Sequence, residues 1–115
     1  MTARVKSRLW VQAYMRRLAS LAAPSYVVRR GDADAGAIAV KVIASRGAAR
    51  LFLQSIGEDG ASMWREIDCG GDEARADARL AREIDIDPDL WIVEVEDKDG
   101  AHHLLEPVQE MPHPE

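Results

Sequence analysis

"RRGDADAGAIAVKV", residues 29–42, decides what kind of fold this chain builds. Two aspartates, Asp32 and Asp34, stand between Gly31 and Gly36 and lead into an apolar run. These letters suit either a cation loop between helices or a turn that delivers the chain into a strand. A calcium loop of the helix–loop–helix kind needs oxygen ligands at its first, third and fifth positions and a bidentate glutamate at its twelfth. Counted from Asp32, the third position is Asp34, but the fifth is Gly36 and the twelfth is Ile43. A phosphate loop fits no better, because the two carboxylates repel an anion and no Gly-Lys-Ser/Thr follows. Aspartate and glycine are the residues of Asx turns, and Ile38, Val40 and Val42 alternate with Ala39 and Lys41 as a strand does. The stretch reads as a turn into a strand. No metal or other cofactor is expected, Asp32 and Asp34 being the nearest thing to a metal pair.

Working outward, the apolar residues Val5, Leu9, Trp10, Ala13, Tyr14, Leu18 and Leu21 recur at steps of three and four, which predicts an amphipathic helix stopped by Pro24. "SYVVRR" before the turn is a short strand. After it come "AIAVKVIA", "RLFLQS" and "SMWREID", separated by glycine-containing turns. "DEARADARLAREI" is a second helix, with Asp72 as its N-cap; Ala74, Ala78 and Ala81 offer small side chains for close approach to a sheet. "LWIVEVE", residues 90–96, is apolar on both faces at its start, the pattern of a strand covered on both sides. "DKDG" turns the chain with Gly100 at positive φ, and "AHHLLE" returns as a sixth, edge strand. The fold class is α+β: an antiparallel or mixed sheet of six strands, one N-terminal helix, and a second helix before strand five.

The 115 residues make one domain over 1–106, and the proline-bearing stretch 107–115 reads as a disordered tail. One cysteine, Cys69, rules out an internal disulfide framework and fits a reducing compartment. Arg16 and Arg17 ahead of "LASLAAPS" imitate an export leader. The apolar run Leu18–Ala23 is only six residues, against the roughly 7–15 of a signal core, so the expected location is cytoplasmic. The net charge of −5 hides an asymmetry: residues 1–30 carry seven basic residues and no acid, and residues 31–115 carry eight against twenty. Such a polarity implies either an internal match or a basic face for an acidic partner.

Three separated segments, "LWVQAYMRRL", "VRRGDADAGAIAVKV" and "DPDLWIVEVEDKDG", carry a resemblance. The chain is similar, over about residues 7–106, to a family of small alphaproteobacterial proteins known only as a domain of unknown function. That family shares an "LWV" helix, a "GDxDAGAxxVK" segment and a "FDPDLWVxEVED" ending; Ile86 stands here where the family has phenylalanine. The resemblance implies a cytoplasmic bacterial protein and carries over no catalytic or binding residue.

The residues themselves offer few sites. "CGGDEAR" sets Arg75 six residues after Cys69, the spacing of cysteine-dependent phosphatases, between a strand and a helix N-terminus. Asp68, Asp72 and Glu73 crowd that thiol and would repel phosphate; the simpler reading is a buried apolar thiol. His102 and His103 are neighbours, so in a strand they point to opposite faces and hold no ion together; His113 lies in the tail. The acids at 85, 87, 89, 94, 96, 97 and 99 read as a solvated face. Trp10, Trp64 and Trp91 lie on separate elements and are expected to meet in the core.

Three function classes follow. A non-catalytic binding or protein-interaction module leads, with Arg8, Arg16 and Arg17 on the open side of the first helix as its binding residues and an acidic protein or self-association as its partner. A small enzyme or ligand-binding domain near Cys69 and Arg75 is the alternative. A nucleic-acid or membrane-surface binder using the basic helix comes last, since a pI of about 5.2 opposes duplex binding.

Overall fold

The structure, a computed structural model, describes residues 5–56 and 58–112; Arg4 and His113 lie outside them. In chain order it has α1 (Ser7–Ser20), β1 (Ser25–Arg29), β2 (Ile38–Ile43), β3 (Ala49–Ile56), β4 (Ser62–Ile67), α2 (Glu73–Ile86), β5 (Trp91–Glu96) and β6 (Val108–Gln109). The sheet is mixed, in the order β1-β5-β2-β3-β4-β6. β2, β3 and β4 form an antiparallel meander. β5 inserts between β1 and β2, antiparallel to the first and parallel to the second. The loop at 30–37 therefore joins two strands that do not touch and passes over the start of β5.

The period-two pattern of the strands divides the core into two layers. Val40, Val42, Phe52, Trp64, Trp91, Val93 and Val95 pack with Val11, Tyr14 and Leu18 of α1. Ala39, Leu51, Ile67, Leu90 and Ile92 pack on the other side with Ala76 and Leu80 of α2. This two-sided cover is why "LWIV" is continuously apolar. Burying a side chain such as Val93 in full contributes roughly 1.5–3 kcal/mol. Asp72 caps α2, its carboxylate accepting from Arg75 N at 3.1 Å. Among the described residues no helix is long and apolar enough to cross a membrane.

Three local expectations are corrected. First, α1 buries Ser7, Val11, Tyr14 and Leu18, and leaves Val5, Leu9 and Leu21 exposed. The helix is turned toward Ser7, whose hydroxyl donates to Gly36 O at 2.5 Å. Second, α2 faces the sheet with Ala76 and Leu80, and Ala74, Ala78 and Ala81 stay outside. Third, residues 101–105 form no strand. His103 takes φ +57°, the carbonyl of His102 accepts from the Tyr14 hydroxyl at 2.6 Å, and His102 Nδ1 accepts from Leu104 N at 2.9 Å. Side chains thus satisfy a backbone that a ladder would otherwise have to pair. The sixth strand is instead Val108–Gln109, within the expected tail, parallel to β4.

Candidate functional site

The 30–37 loop is a hub of main-chain contacts. Asp32 Oδ2 accepts from the backbone N–H of Asp34 (3.2 Å) and Ala35 (2.8 Å), closing an Asx turn. The carbonyls of Ala33 and Asp34 accept from Arg8 N and Ser7 N at 3.0 and 3.3 Å. They cover the first N–H groups of a helix whose preceding residue, Lys6, makes no side-chain cap. Asp32 N donates to Asp89 O at 3.0 Å, and Asp32 O accepts from the Trp91 indole at 2.7 Å. Two of the segments that carry the family resemblance thus meet at one corner, against the first turn of α1, which leads into the third. Asp32 spends its carboxylate inside the turn, and Asp34 lies 3.8 Å from Lys6. Among the described residues no group of three His, Cys, Asp or Glu is placed to hold a metal ion.

From this corner a groove runs between α1 and β1. Its first hollow, of about 180 Å³, is lined by Arg8, Val11, Gln12, Met15, Val27, Arg30 and Trp91. Its second, of about 460 Å³, is lined by Met15, Ala19, Ala22, Ala23, Pro24 and Ser25. The Arg30 guanidinium lies 5.7 Å over the Trp91 ring. β1 is an edge of the sheet, and Tyr26, Val27 and Val28 are 53%, 38% and 58% exposed. Among the described residues no carboxylate pairs with Arg8, Arg16 or Arg30; the ion pair that residues 5–30 do make is Lys6–Asp34.

The structure divides the expected basic trio. Arg8 and Arg17 are nine residues apart, about half a turn round the helix at roughly 100° per residue. Arg8 lines the groove, and Arg16 is exposed beside it. Arg17 lies on the far side, donating to the His103 carbonyl and resting 5.4 Å from the Tyr14 ring. Of the acids that read as a solvated face, Glu94 lies on Lys41 at 3.3 Å and Asp97 on His103 at 2.8 Å. That bond to His103 holds the Asp97 carboxyl below its ordinary value. Arg30 was legible only as the second arginine before the turn; its place beside Arg8 comes from the fold.

Cys69 is buried in the α2 layer, its thiol donating to Ala49 O at 3.5 Å. Arg75 is exposed and lays its guanidinium against Gly70. His102 is half-buried with its ring edge-on to Phe52, 5.0 Å away, and burial pushes its pKa down. Trp10 and Trp64 do meet, with ring centroids 5.3 Å apart, and both indoles donate to the Glu106 carboxylate, at 3.2 and 3.0 Å. Nothing in the pattern around Glu106 signalled that role.

The sequence reading also missed Lys41, although a lone cation in an apolar strand was visible. It reaches from β2 under α2 to Glu73 (3.0 Å), Asp77 (2.7 Å) and Glu94 (3.3 Å). Burial works to lower its pKa, but hydrogen bonds to Asp77 and Glu73 and the charge of Glu94 outweigh it, and the net shift is upward. Three carboxylates thus hold the Lys41 ammonium in place. On β3, Arg50 clamps Glu66 of β4 with two nitrogens at 3.0 and 3.1 Å and holds Gly100 O at 2.8 Å.

Residues 5–105 match the family model described as "Protein of unknown function (DUF1491)". No curated protein matches the chain. A crystal structure of a DUF1491 family protein from Caulobacter crescentus CB15 aligns with a TM-score of 0.85 at 42% identity, covering 92% of this chain and 100% of that one. An NMR structure of a DUF1491 family protein from the same organism gives 0.84 at 41%, covering 94% and 99%. A solution structure of a protein from A. tumefaciens gives 0.80 at 25%, covering 97% and 100%. The chain belongs to the DUF1491 family.

Proposed function

We propose that this member of the DUF1491 family is a non-catalytic protein-interaction module of the bacterial cytoplasm, and that it docks an acidic partner protein in the groove between α1 and β1. One observation carries the reading: an open apolar groove ends in two arginines, Arg8 and Arg30, that no carboxylate of the described chain neutralises. Arg16 extends the same field. Unmatched cations beside apolar surface recognise a partner that brings carboxylates and apolar groups together. The buried thiol of Cys69 favours this reading over the enzyme alternative. The bacterial cytoplasm is inferred from the relatives' organisms and the single cysteine.

Calorimetric titration with polyglutamate and with duplex DNA at physiological salt tests the reading. Binding of polyglutamate, weakened at least tenfold by Arg8→Glu with Arg30→Glu and falling with added salt, supports it. Unchanged binding in that double variant, or tighter binding of the duplex, refutes it.

A further inference from the structure

Resting on the groove as the docking face, we infer that the partner enters it as an extended strand. This strand pairs with the open edge of β1, with its carboxylates at the Arg8–Arg30 end and its small apolar side chains beside Met15 and Ala19. The edge of a sheet presents unpaired N–H and C=O groups and is a template for another strand. Sheets commonly protect such an edge with charge; here the charge sits at the strand's end, where Arg29 donates to Leu90 O at 2.7 Å, and the three residues before it, Tyr26, Val27 and Val28, expose apolar surface. The pairing of β1 with β5 shifts register between Val27 and Arg29, where Val28 stands out at 58% exposure.

The groove borders that edge: β1 contributes Ser25 and Val27, and α1 contributes Arg8, Met15 and Ala19. Side chains on one face of an entering strand recur every second residue. Val27 marks the face that turns to the groove. The Arg8–Arg30 end calls for carboxylates and the Ala19–Pro24 end is lined by uncharged residues, which gives the slot a polarity. A second copy pairing through its own β1 would bring two segments from a region, residues 1–30, that holds seven basic residues and no acid. Charge therefore selects a different, acidic chain.

The test uses the full chain and a capped heptapeptide with two glutamates and then two valines at odd positions and threonine at even positions, together with its reversed sequence. Each is also made N-methylated at odd or at even amides, and heptaglutamate serves as the charge-only probe. Fluorescence anisotropy and amide exchange are read. The expected result is that a heptapeptide binds, that one methylated version loses at least tenfold in affinity and the other does not, and that β1 amides slow in exchange. Heptaglutamate binding equally well, with methylation without effect, overturns strand addition and leaves the acidic-partner reading standing. Absence of binding by every probe overturns both. Self-association through β1 in sedimentation, with the same amides slowed and no peptide present, makes a second copy the occupant and overturns the inference.

Discussion

Replacing Gly31 by alanine tests whether the corner that joins the loop, α1 and β5 is as tight as the geometry says. A Cβ on Gly31 would lie 1.9 Å from Asp89 O, 2.7 Å from Asp89 C and 2.7 Å from Trp91 Cδ1. Two of those atoms are backbone and the third belongs to a ring that is 3% exposed, so none can swing away. The loop must move by more than an ångström. That movement breaks the Asp32 N–Asp89 O bond of 3.0 Å and the Trp91–Asp32 O bond of 2.7 Å. At about 1 kcal/mol per bond, with about 1–3 kcal/mol for overpacking, the cost comes to about 3–5 kcal/mol, a large part of a typical domain's stability. Urea denaturation followed by tryptophan fluorescence measures it. Gly47→Ala is the control: nothing lies within 4 Å of its Cβ, and only its φ of +75° is strained, costing about 1 kcal/mol. A Gly31→Ala midpoint no lower than that of Gly47→Ala would refute the close-approach argument.

Lys41→Met leaves Glu73, Asp77 and Glu94 without their shared cation. We expect a loss of about 2–4 kcal/mol at neutral pH, below that of a fully buried pair because Glu73 and Asp77 are about half exposed. The gap should narrow in 1 M salt, and a salt-independent loss would point to packing alone. His102 is held below its ordinary pKa by burial, so as pH falls through about 6.5 the unfolded chain takes the proton first. Stability present above that pH is lost below it. His102→Asn should therefore lose less melting temperature between pH 7.5 and pH 5 than the parent protein; an equal loss would assign the effect elsewhere. Cys69 should react with Ellman's reagent at least tenfold more slowly in the native protein than in urea. Native reaction at the rate of a free cysteine would return the Cys69–Arg75 enzyme reading to contention.

The elements were readable because their causes are local. β2, β4, β5 and α2 follow from residue alternation, helical spacing and the Asp72 cap, and each occurs where that pattern places it. The missing calcium glutamate was local too, and Asp32 indeed closes a turn. Failures arose where a contact came from far along the chain. The face of α1 was misplaced because Ser7 is drawn inward by Gly36. "AHHLLE" was misread because Tyr14 and Arg17 take its carbonyls. Lys41 and Glu106 were passed over because their partners lie at least 32 residues away.

By itself, then, the sequence determined the class of fold, the two-sided cover of β5 and the basic character of the first thirty residues. All three depend on composition and period within a window of a few turns. Only the tertiary structure decided which arginines share a surface. Arg8 and Arg30 are brought to one hollow because β5 inserts beside β1 and carries Trp91 between them. Arg17 is turned away by the 3.6-residue pitch of its helix. Strand order and helix rotation are set by packing between distant segments, and no short window of residues contains that information.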